Sequence, residues 1–187
     1  SISIFIVALL SPILGTISDV MRGKKKFLSF FVTLGVIGTG LLVLVDTGDW
    51  LLASMLFVIG RVGFAGANVF YDAFLPHIAK EEDLDVVSTR GYALGYLGGG
   101  LLFAFNVLLT LYPQTFGLAD ASAAVRISFI SVAIWWAVFS IPILLFVPEP
   151  RPAAGTPGVT AMRAGIQQLQ NTFKEIRRLR VVGTFLL

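Results

Sequence analysis

Residues 27–45 read FLSFFVTLGVIGTGLLVLV, without one charged side chain between Lys26 and Asp46. A helix that crosses the hydrocarbon core needs about 20 consecutive, mostly apolar residues. This run has that length and is mostly apolar. Comparable runs cover 1–18, 50–71, 91–112 and 125–147, and a further one opens at 181–187. The pattern is that of an all-α polytopic membrane protein with about five spans and the start of another. The first run begins in mid-stretch at Ser1, with neither a Met nor a charged leader, so the chain reads as a fragment and not as a signal peptide.

Composition points the same way. Hydrophobic residues make up 56% of the 187, and charged residues 13%. A soluble domain carries about 25% charged residues to cover its surface. The net charge of +3 does not signal nucleic acid, because the bases cluster at breaks between apolar runs. No basic and aromatic interleaving of the kind that stacks bases occurs. The chain has no Cys and one His, His77, so thiolate zinc sites and cysteine nucleophiles are excluded and no metal centre is expected. No phosphate-cradling Gly-x-x-x-x-Gly-Lys-Ser/Thr loop is present either. No catalytic residue, cofactor or nucleic-acid partner is therefore expected; the expected partners are membrane lipid and a small solute.

The breaks carry the topology. Arg22, Lys24, Lys25 and Lys26 fill the first, whereas the second holds Asp46 and Asp49 and no base. Lys80 and Arg90 lie in the third among four acids, and the fourth has no base before Arg126. Arg151, Arg163, Lys174, Arg177, Arg178 and Arg180 follow in 148–180. The base-rich side faces the cytoplasm in membrane proteins, and the alternation agrees with the parity of the spans. Within 148–180, a Pro-, Ala- and Gly-rich linker precedes Met162, Ile166, Leu169, Phe173 and Ile176, spaced by three and four. That stripe predicts an amphipathic helix along the cytoplasmic membrane surface, joining two bundles.

Polar groups inside spans are costly and mark pathways, relays or fixed ion pairs. Arg61 stands near the middle of 50–71, with Asn68 two helical turns and Asp72 three turns further on, all on one face. Two roles fit Arg61: binding an anionic group such as a solute carboxylate, or permanent pairing with an acid on another helix. Asn106, deep in the next span, is a second cavity candidate, with Tyr96 beside it in the same span. Asp72 is expected to act as an interfacial gate or ion-pair partner rather than a proton site, and Pro76 to stop the helix after it. Gly91, Gly95 and Gly99 recur every four residues, the spacing that lets helices approach closely in lipid. Trp135 and Trp136 lie mid-span, where packing or cavity lining is expected, and Pro142 predicts a kink.

The string Gly-Thr-Ile-Ser-Asp-Val-Met-Arg-Gly-Lys-Lys-Lys that starts at Gly15 resembles the loop between helices two and three of the major facilitator superfamily. Gly15 and Asp19 match its spacing, Gly23 falls one place late, and Val20 replaces the usual base. Arg61 partly matches the fourth-helix arginine motif, with Ala65 in place of glycine. Gly91 to Gly100 resembles the fifth-helix glycine motif, with Tyr96 in place of its proline. Phe70-Tyr-Asp-Ala-Phe-Leu-Pro76, followed by Gly91-Tyr-Ala-Leu-Gly-Tyr-Leu-Gly-Gly-Gly100, is similar to the vacuole-effluxer branch, which includes autophagy-related vacuolar amino-acid permeases and bacterial relatives.

The resemblance implies a partial N-terminal bundle, helices two to six of twelve over 1–147, then the linker at 148–180 and the next helix from 181. The first helix and the C-terminal half would be supplied by the rest of the same protein. It also implies a latch on the cytoplasmic side that includes Asp19; Lys24 and Lys25 in the same loop, and Asp72 at the end of 50–71, are the other gating or latch candidates. The implied function is secondary transport of a small solute such as an amino acid by alternating access; Arg61, Asn68 and Asn106 are the candidates for its cavity. The membrane would be the plasma membrane in a bacterium and the vacuolar membrane in a fungus. A transporter-like scaffold or sensor without flux is the alternative, and an enzyme is not expected.

Overall fold

The computed structural model describes residues 23–149, together with Val7, Leu14, Gly15 and Gln167. Helix α1 covers Lys24–Leu41 and passes into a 3-10 turn at Leu42–Leu44; α2 covers Trp50–Asp72. A short α3 at Leu75–Ile78 and a 3-10 turn at Glu81–Asp83 lead to α4, Leu84–Leu111. A turn at Pro113–Phe116 precedes α5, Ala121–Phe146. Among the described residues four helices, Lys24–Leu44, Trp50–Ile78, Glu81–Leu111 and Ala121–Phe146, are long and apolar enough to cross a membrane. No strand occurs among the described residues. The all-α polytopic membrane fold therefore stands. The 1–18 run, apart from Val7, Leu14 and Gly15, and the amphipathic stripe of 148–180 lie outside the described residues, as does 181–187.

The helices extend past the apolar runs that announced them. Helix α4 starts seven residues before Gly91, through Asp85 and Arg90, and α5 starts at Ala121 rather than 125. Hydropathy marks only the part of a helix inside the hydrocarbon, whereas backbone hydrogen bonding continues into the headgroups. Asp120 explains the early start of α5: its Oδ1 accepts the Ala123 N–H at 2.8 Å, an N-cap invisible to a hydropathy scan. Helix α2 does end at Asp72, short of Pro76, but helical geometry resumes almost at once. Leu75 is itself helical and opens α3, with Pro76 in its first turn. A proline there forfeits an N–H that has no intrahelical acceptor anyway. Helix α5 likewise runs on through Pro142.

Helix α1 is the hub. Its glycines meet those of α2 in reverse order: a Cβ on Gly38 would come 2.9 Å from Gly60 N, one on Gly63 would come 2.8 Å from Phe31 O, and Gly66 sits under the Phe31 ring. Rising numbers on α1 meet falling numbers on α2, so the pair is antiparallel and its backbones touch. Next to this seam lies the core of Leu28, Phe31, Val32, Ala67, Phe70 and Phe74. Phe70 stacks on Phe27 and Phe31 at centroid distances of 5.2 and 5.8 Å and is fully buried.

On its other side α1 receives α5. Trp136 fills the notch left by Gly35 and meets Phe64 edge-on. Trp135 packs on Phe139, so both tryptophans serve packing. Helix α4 leans on α5, where Ser131 Oγ donates to Asn106 Oδ1 at 3.0 Å. Elsewhere α4 carries a wall of exposed apolar side chains, among them Leu97, Leu101 and Phe103, and only Leu109 is buried. Lipid or further helices are the environment in which such a wall is stable.

Candidate solute site

All the functional candidates in the described residues gather at or near one end of the bundle, except Arg61, Gly99 and Asn106. That end is built from the start of α1, the end of α2, the start of α4 and the end of α5. It carries Lys24, Lys25, Lys26 and Lys80, the bases of the loops expected to face the cytoplasm. The opposite end holds Arg126, whose guanidinium pairs with Asp46.

Gly23 starts this lysine-bearing end. Its φ of 95° is left-handed, which glycine adopts without strain, and it turns the chain into α1 with no side-chain cap. The N–H of Lys25 donates instead to Glu149 Oε2 at 3.3 Å, from beyond the end of α5. In return, the Lys25 ammonium donates to the Leu144 carbonyl at 2.8 Å, one of the last carbonyls of α5 that lack a helical partner. An acid thus sits at the positive end of α1 and a base at the negative end of α5. Lys24 is buried, and no hydrogen bond or ion pair of its side chain is seen among the described residues. Asp19 lies outside the described residues.

Between α2 and α4, in the halves nearest that end, lies a cavity of about 500 Å³. Its α2 wall includes Phe64, Asn68, Tyr71 and Asp72; its α4 wall includes Ser88, Gly91, Tyr92, Gly95 and Tyr96. Ile143 reaches it from α5. The volume falls in the range of small-molecule sites, about 300–1,000 Å³. The glycines keep the α4 wall low: nothing lies within 4 Å of a Cβ built on Gly95, and the Tyr71 hydroxyl lies 3.8 Å from one on Gly91. Gly99 is similarly open among the described residues.

The structure thus brings together Asn68, Asp72, Gly91 and Gly95, whose helices the sequence could not pair. It leaves Asn106 elsewhere, bonded to Ser131 in the α4–α5 contact. Arg61 lies deeper than Phe64 on α2, is exposed, and has no hydrogen-bond or ion-pair partner among the described residues. Tyr71 and Tyr92 were not singled out by sequence. Their signal was weak, since an aromatic residue near a span end reads first as an interfacial anchor. Among the described residues no group of three or more His, Cys, Asp or Glu side chains is placed to hold a metal ion.

Comparison with known proteins supplies the family. The chain is 39% identical over 188 residues to an uncharacterized MFS-type transporter, YxiO, of Bacillus subtilis, across 100% of this chain and 44% of that one. It is 22% identical to Autophagy-related protein 22 of Yarrowia lipolytica, across 91% of this chain and 41% of the relative. For the Kluyveromyces lactis protein of the same name the values are 24%, 88% and 36%. The chain therefore spans less than half the length of these curated relatives. No solved structure matches it. The model of one family, described as vacuole effluxer Atg22 like, matches residues 1–187, and the chain belongs to that family.

Proposed function

We propose that the whole protein is a secondary membrane transporter, not an enzyme, and that it moves a small solute by alternating access. One observation carries the reading: a solute-sized cavity with Asn68 and Asp72 in its wall opens between two membrane-crossing helices. The name of the bacterial relative supports it. This chain contributes part of one bundle, and the moving site lies between that bundle and the remainder of the same protein. An amino acid is the first solute to try, and the exposed Arg61 is available to a carboxylate. The greater identity to the bacterial relative favours a bacterial plasma membrane.

Flux in proteoliposomes holding the full-length protein tests the proposal. Uptake of a radiolabelled amino-acid mixture is expected to exceed that of empty vesicles, and Arg61→Ala is expected to lower it about tenfold or more. Binding without flux would move the protein to the scaffold or sensor class. Flux unchanged by Arg61→Ala would remove Arg61 from the solute path.

A further inference from the structure

We infer that the cavity between α2 and α4 is a cation site, built to take an organic ammonium group against Asp72. This rests on the transporter reading for its purpose, but not for its chemistry. Asp72 is the cavity's one carboxylate among the described lining residues, and no Lys, Arg or His accompanies it there. Among the described residues it has neither a hydrogen-bond nor an ion-pair partner. An ionised carboxylate at the edge of the hydrocarbon is costly unless a positive group neutralises it. The rest of the lining suits that group: Tyr71 adjoins Asp72 on α2, and Tyr92 and Tyr96 stand one turn apart on α4. Tyrosine faces attract ammonium ions, quaternary ones included, through the ring quadrupole. Asn68, one turn above Asp72, adds an amide oxygen.

Arg61 does not compete for this role. It lies eleven residues from Asp72 on one helix, about 16 Å along the axis. The two make no ion pair with each other, so Arg61 does not neutralise Asp72 and the carboxylate is left for a bound cation.

Choline and neopentylcarbinol, which have the same shape with nitrogen exchanged for carbon, isolate the charge. Equilibrium dialysis of radiolabelled choline against the detergent-purified full-length protein, with the alcohol as competitor, is the measurement. Choline is expected to bind about tenfold or more tighter than the alcohol. Asp72→Asn is expected to erase that preference, and Tyr96→Leu to weaken choline about three- to tenfold while leaving the alcohol unchanged. Tyr96 is 80% exposed, so its replacement disturbs no packing among the described residues and decides the matter if Asp72→Asn fails to fold. Equal binding of the two probes, no binding of choline, or a preference that survives both variants overturns the site. Choline binding without solute flux leaves the cation site standing and sinks the transport reading. Solute flux without any charge preference does the reverse.

Discussion

Two sets of glycines at near-helical spacing sit in very different surroundings. On α1 and α2, Gly35, Gly38, Gly60, Gly63 and Gly66 line the contact of two backbones: an added Cβ on Gly38 or Gly63 meets main-chain atoms, on Gly35 or Gly66 the Trp136 or Phe31 ring, and on Gly60 the Thr39 hydroxyl. On α4, Gly95, Gly99 and Gly100 have nothing within 4 Å of an added Cβ among the described residues, and Gly91 and Gly95 border the cavity. The residue type is the same and the spacing is similar. The difference is what lies opposite, and helical spacing cannot report it. In lipid the seam gains stability from van der Waals contact between backbones, whereas the open stripe keeps a surface low for whatever meets it.

The largest effect should come from closing the seam. Gly63→Val would push a branched side chain into Gly35, whose Cα is 2.5 Å from the Cβ position, and into the Phe31 carbonyl. Overpacking costs about 1–3 kcal/mol where side chains can shift. Here backbone is the obstacle, so a loss at or above that range is expected, read as a lower melting temperature of the full-length protein in detergent. A Gly63→Val protein as stable as the parent would mean that α1 and α2 do not touch.

A smaller loss, about 1–2 kcal/mol, is expected for Lys25→Ala, which frees the Leu144 carbonyl on the other flank of α1. Lys25→Arg should recover part of it, because a guanidinium still donates. The same melting measurement would show whether α1 is held from both sides or from the seam alone.

Gly99→Ala sharpens the contrast in the opposite direction. Open space around the added methyl and the higher helix propensity of alanine predict a change from none to about 1 kcal/mol of added stability. A loss instead would show that a helix beyond the described residues covers the stripe. The smallest effect belongs to Asp46→Asn. Asp46 is exposed, its pairing with Arg126 is solvent-screened, and a change under about 1 kcal/mol is expected, shrinking further with added salt.

Sequence by itself determined the solvent and the class of fold. Apolar runs near bilayer length and loops of alternating charge leave little choice once backbone polar groups must be satisfied within each segment. Sequence also placed Asn68 and Asp72 on one face, because that relation is set by helical geometry within a single segment.

Tertiary structure decided which helices became neighbours. Nothing local links Lys25 to Leu144 and Glu149, Gly35 to Gly63, or Asp72 to Tyr92 and Tyr96, since each pair joins different helices. Within a membrane every helix is apolar on most faces, so hydrophobicity does not choose among them. Close backbone approach, ring stacking and the capping of helix ends make that choice. The same choice left the cavity wall of α4 beside Asp72 and put Asn106 out of reach.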